Sequence, residues 1–170
     1  MLASKKLIDA LNKQVGHELG ASNQYVTLAA FFAAQALTEL AGFFYRQAEE
    51  EREHALKLVH FIVDAGGRLA IPQIPAPKAD PKTAEEAVEL ALDWENEVTR
   101  QIYALVEIAR EESNYIALRF LDWFVNEQFE EVTTMGGLLQ VVRRAGEKRL
   151  IEVEHFLARE GDEIEGPPPD

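Results

Sequence analysis

The sequence predicts an all-α fold: a four-helix bundle with one long crossover between its second and third helices, and a short fifth helix at the C-terminal end. Three observations lead there. Apolar residues recur at the three-and-four spacing of a bundle seam through four long segments. A stretch holding Pro72, Pro75, Pro77 and Pro81 divides the four into two pairs, because proline is excluded from helix interiors. The two pairs also share a register. The steps from Glu18 to Glu95 and from Glu51 to Gln128 are both 77 residues, as a duplicated helix hairpin would give.

The first helix is expected over residues 5–35, with Ser4 as N-cap. Its seam reads Ile8, Leu11, Val15, Glu18, Ser22, Tyr25, Ala29, Phe32. A short turn at Ala36-Leu37-Thr38, with Thr38 as cap, makes the second helix its antiparallel neighbour. That seam reads Leu40, Phe44, Gln47, Glu51, His54, Leu58, Phe61, Ala65, and Gly66-Gly67 closes it. The proline-rich link, residues 67–82, reaches about 50 Å at 3.1 Å per residue. A helix of about 30 residues is about 45 Å long. The link therefore spans the bundle, and the second and third helices run parallel.

The third helix is expected over residues 84–112, opened by a Thr83/Glu86 capping box. Its seam is Ala84, Val88, Ala91, Glu95, Val98, Ile102, Leu105, Ala109. Ser113-Asn114 turns the chain into a fourth helix over residues 115–145, with the seam Ala117, Leu121, Phe124, Gln128, Glu131, Met135, Leu138, Val142. Gly136-Gly137 marks a weak or kinked point within it, since each glycine costs about 1 kcal/mol in a helix interior. Gly146 closes the fourth helix, and a fifth follows over residues 147–159 with Leu150, Val153, Phe156 and Leu157 on one side. Residues 1–160 are read as one domain, and 161–170 as an acidic, proline-rich tail expected to be disordered.

Composition narrows the function. The 170 residues are 47% hydrophobic, enough for a real core. They contain no cysteine, which excludes disulfides and thiolate metal sites. Net charge is −13, from 17 Lys and Arg against 30 Asp and Glu. That argues against nucleic-acid partners, which need basic patches, and suits cations. No apolar run is long enough to cross a membrane. Met1-Leu2-Ala3-Ser4-Lys5-Lys6 has no apolar leader core, so the cytoplasm is the expected location.

Six polar groups interrupt the four seams at one depth: Glu18, Glu51, His54, Glu95, Gln128 and Glu131. Buried carboxylates need compensating positive charge, and no Lys or Arg lies on the seams. Two divalent or trivalent metal ions would supply it. One carboxylate from each of two helices plus an i,i+3 pair from each of the other two is the di-metal bundle pattern. Oxygen ligands with one imidazole favour iron or manganese. His17 and His60 lie off the seams and are expected to face solvent, and Trp123 to pack. The second Glu-x-x-His, Glu152 with His155, has no converging partners.

With these residues in view, the sequence resembles the bacterial and archaeal non-haem ferritins over about residues 5–160. Glu18 with Tyr25, the run from Glu49 to His54, Trp94-Glu95, and the run from Leu121 to Glu131 carry the resemblance. It implies a di-iron ferroxidase centre, in which Glu18, Glu51 and His54 hold the first iron. Glu51 then bridges to a second iron held by Glu95 and Glu131, with Gln128 beside it. Glu50, Glu127, Glu130 and Glu131 match a third iron site. Tyr25 matches a tyrosine that supplies an electron, and a core aromatic with its hydroxyl satisfied is the competing reading.

Arg52 stands where bacterioferritins carry a haem-ligating Met, so no haem is expected, and Glu131 replaces the His of their second Glu-x-x-His. The implied activity is oxidation of Fe(II) by O2, followed by storage of Fe(III) as a mineral in a homo-oligomeric cage of 24 subunits. The adjacent pairs Phe31-Phe32 and Phe43-Phe44, whose rings cannot share one seam, lend assembly some support. A di-iron oxidase or oxygenase acting on an organic substrate is the alternative. Gln128 and Glu131, in place of a second Glu-x-x-His, count against it.

Overall fold

The computed structural model describes residues 2–78 and 80–165, with side chains through Arg159. Five α-helices occupy the described residues: α1 Lys5–Ala33, α2 Thr38–Asp64, α3 Ala84–Glu111, α4 Tyr115–Ala145 and α5 Leu150–Glu165. A 3-10 turn, Glu147–Arg149, precedes α5. The first four form the bundle. Helices α1 and α2 pack most closely, then α3 with α4, then α1 with α3, while α2 and α4 face each other across a looser side.

Two apolar cores show the helix directions. One gathers Leu7, Leu11 and Val15 with Leu58 and Ile62, Ile102 and Leu105, and Leu121 and Phe124. The other gathers Tyr25 and Phe32 with Leu40 and Phe44, Val88, Leu138 and Val142, and Val153 from α5. The start of α1 thus meets the ends of α2 and α3 and the start of α4, so α2 and α3 are parallel. The crossover makes this possible. Buried Asn12 donates to the Arg68 carbonyl at 2.9 Å and accepts from the Ala70 N–H at 2.7 Å. Three turns further along α1, Gln24 does the same for Lys78, at 2.7 and 2.8 Å. Between these two clamps Pro72 lies so close to Gly16 that a Cβ there would overlap its ring.

Several helix ends differ from the expectation. Helix α1 stops at Ala33, two residues early, because the turn closes with Leu37 N–H on Phe32 O at 3.1 Å and Ala36 at φ 59°. Thr38 does not cap α2. Leu37 holds the N-cap position with no side-chain bond. The Glu154 carboxylate of α5 instead accepts the N–H groups of Glu39 and Leu40, both at 2.9 Å. A carboxylate at a helix start also meets the positive end of the helix dipole. At α3 half of the capping box forms. Thr83 Oγ accepts from Glu86 N–H at 3.1 Å, while the Glu86 carboxylate turns to Lys82 N–H.

Helix α4 runs unbroken through Gly136-Gly137, because Met135, Leu138 and Leu139 are buried on either side and hold it in place. Helix α5 continues six residues beyond the expected Arg159, to Glu165. The rest of the expected tail, residues 166–170, lies outside the described residues.

Candidate metal centre

Between the two cores lies a polar layer, one group or pair from each helix. All six expected members are buried: Glu18 and Glu51 at 1% exposure, Glu95 at 0%, and His54, Gln128 and Glu131 close behind. The positions follow from helical periodicity. Each sits on a seam where an apolar residue would otherwise complete the core.

The carboxylates are short of partners. Glu18 Oε1 accepts from Gln14 Nε2 at 3.0 Å, but its Oε2 has none, and neither oxygen of Glu51 meets a donor. Among the described residues no Lys or Arg pairs with Glu18, Glu51, Glu95 or Glu131. Burial raises the Glu51 carboxyl well above the usual range, with Glu95 and Glu18 adding repulsion. Glu131 is pushed up to about 9 by burial and then by Glu95 and Glu50. Glu95 reaches about 7, again chiefly through burial, with the Tyr25 hydroxyl pulling it down. Orphaned buried oxygens in a layer of mutually repelling acids are the chemistry of a cation site.

Two clusters bring three potential ligand atoms within 4.8 Å of one another. Glu18, Glu51 and His54 form one, the set expected for the first iron. His54, Glu127 and Glu131 form the other. The imidazole joins them: Nδ1 lies 3.5 Å from Glu51 and Nε2 3.7 Å from Glu127. Burial lowers the His54 pKa, which favours the neutral ring that binds metal. Trp123 meets its edge at 5.4 Å and carries Lys57 over its face at 4.0 Å, consistent with packing.

Glu95 belongs to the layer but spends its oxygens otherwise. Tyr25 donates its hydroxyl to Oε1, and Gln128 Nε2 approaches Oε2 at 3.5 Å. Tyr25 is wholly buried and held protonated, by burial first and Glu95 second. Of the set expected for the third site, Glu127 and Glu131 converge. The Glu50 carboxyl is close enough for Glu127 to raise it, after burial. Glu130 is exposed and joins neither cluster. A mouth of about 580 Å³ between α2 and α4, lined by Glu50, Glu53, His54 and Glu127, opens the centre to solvent.

Sequence reasoning missed three residues here. Gln14 holds Glu18. Thr99 Oγ1 lies 2.8 Å from both Glu95 O and Gln128 Oε1, fixing the amide. Gln47 is buried with an unsatisfied oxygen. The first two lie off the seams, and only their i,i±4 spacing to Glu18 and Glu95 signals them. His17, His60, Glu152 and His155 are exposed as expected. Glu154, between the last two, is the buried one.

Fold and layer together define a helical-bundle protein with a buried, carboxylate-rich layer whose groups could hold a metal ion. The chain belongs to the ferritin family: the ferritin-like domain model matches residues 8–145. It is similar to ferritin BfrB of Mycobacterium tuberculosis, 41% identical over 152 residues, which are 89% of this chain and 83% of that protein. The bacterial non-heme ferritin of Staphylococcus aureus is 37% identical over 146 residues, 86% of this chain and 88% of that one. Among solved structures, an open pore ferritin from Archaeoglobus fulgidus superposes with a TM-score of 0.88 at 29% identity, over 92% of this chain and 96% of that one. Among the described residues no helix is long and apolar enough to cross a membrane.

Proposed function

We propose that this chain is an iron-storage ferritin. It oxidises Fe(II) with O2 at a two-iron centre and retains the Fe(III) as a mineral inside a cytoplasmic shell of 24 copies. The observation that carries the reading is the layer itself: four carboxylates with no Lys or Arg partner among the described residues, and three orphaned oxygens on Glu18 and Glu51. Iron is the substrate. Glu18, Glu51 and His54 take the first ion. Glu51 bridges to a second, taken by Glu95 and Glu131 with Gln128 beside them. Glu50, Glu127 and Glu130 join Glu131 at a third.

The residues supply geometry and charge. Anionic oxygens attract a trivalent ion more strongly than a divalent one, so the layer favours loss of one electron from each ferrous ion to O2. Glu51, Glu95 and Glu131 are held toward their acid forms. Iron uptake therefore releases protons from them. The Tyr25 hydroxyl, bonded to Glu95, stands where it can pass an electron to the centre.

The test is to add Fe(II) in air and follow ferric absorbance and particle size together. Many iron atoms retained per subunit in a large particle supports storage. Retention of about two per subunit, without growth, favours the oxidase reading instead. Replacing Glu51 and His54 with Ala should lower the initial oxidation rate by roughly a hundredfold or more, and an unchanged rate would refute the site.

A further inference from the structure

Gln47 lies one turn before Glu51 on the buried face of α2, and nothing above gives it a task. It is 7% exposed. Its amide nitrogen donates to the Glu50 carboxylate, while Oε1 is buried without any donor. An unsatisfied buried oxygen costs about 1–3 kcal/mol. The neighbouring main-chain N–H groups are committed to the helix ladder of α2 and cannot help. Phe44 and Ala48 flank Gln47 as fully apolar positions, so packing alone would have been served by another apolar side chain.

The surroundings are acidic. Glu127 and Glu131 offer ligand atoms within 4.8 Å of each other and of His54, and Glu50 lines the same mouth as Glu127, one turn along α2 from Gln47. Another carboxylate would add repulsion. A neutral amide oxygen adds a hard donor without adding charge.

We propose that Gln47 Oε1 is a ligand of the third metal ion, completing with a neutral oxygen the site proposed above for Glu50, Glu127, Glu130 and Glu131. This rests on the third-site reading given above. The same side chain does two things: its N–H fixes the direction of the Glu50 carboxylate, and its oxygen meets the ion.

Zn(II) alone is the probe, being redox-inert. Calorimetric titration of the metal-free protein should show three ions per subunit. In Gln47→Leu the third event should weaken by about ten- to a hundredfold, while the first two still fill. In zinc-soaked crystals of the parent protein the third ion should lie about 2.0–2.2 Å from Gln47 Oε1. An unweakened third event in Gln47→Leu, or a third zinc beyond bonding distance of Gln47, overturns the assignment and leaves the third site standing. A parent protein that takes only two zinc ions overturns both. The crystal measurement does not depend on the variant folding.

Discussion

Replacing Glu131 with Gln should stabilise the metal-free protein and do so more as pH rises. The carboxyl titrates at about 9 in the folded chain, against 4.5 in the unfolded one. The folded state therefore keeps a proton that the unfolded state gives up. The stability linked to that proton is complete below about pH 4.5 and is lost as pH climbs toward 9. From 4.5 to 7 the loss is about 3 kcal/mol, at 1.36 kcal/mol per unit. The substituted amide cannot ionise and loses nothing over that range. For a chain of this size about 3 kcal/mol corresponds to roughly 6–12 °C in Tm. Scanning calorimetry in excess chelator should show parent and variant melting close together near pH 5 and the variant clearly higher at pH 7. With Zn(II) in place of chelator the order should reverse, because the parent alone keeps the full ligand set. A Tm difference that does not change with pH, or a parent that melts higher at pH 7 without metal, would refute the account of the layer.

Other outcomes follow from single residues. Ala36→Gly should raise stability by about 1 kcal/mol, since Ala36 holds φ 59° at a helix end where glycine is unstrained; an unchanged Tm would count against it. Glu154→Ala should cost about 1–2 kcal/mol and speed amide hydrogen exchange at Glu39 and Leu40, whose acceptor it removes. If those two amides stay as protected as before, the cap is not where we place it. Thr99→Val keeps the shape but frees Gln128, and should slow the first turnover about tenfold or more in stopped-flow oxidation. A parent-like rate would mean that Gln128 needs no anchor.

The seams were legible because burial writes itself into a sequence with a period. Glu18, Glu51, His54, Glu95, Gln128 and Glu131 stood out only as breaks in that period, and the structure buries every one. What stayed illegible has no local signature. Glu154 caps a helix 115 residues away, and no window of sequence relates the two. Gly136-Gly137 misled for the opposite reason: local propensity argued for a break, and the buried side chains on both sides of the pair overrode it. Gln14 and Thr99 act on the layer from off-seam positions, where a polar residue reads as ordinary surface.

The polar layer has a consequence for how the chain holds together. It leaves the bundle with two small apolar cores rather than one, each drawing on all four long helices and bridged at the edge by Trp94. Coupling one core to the other means dehydrating the acids between them. Protons can neutralise that layer, and so can cations. A cation held in that layer would join the two halves as well as neutralise the acids, so metal binding at the centre should raise the stability of the whole bundle.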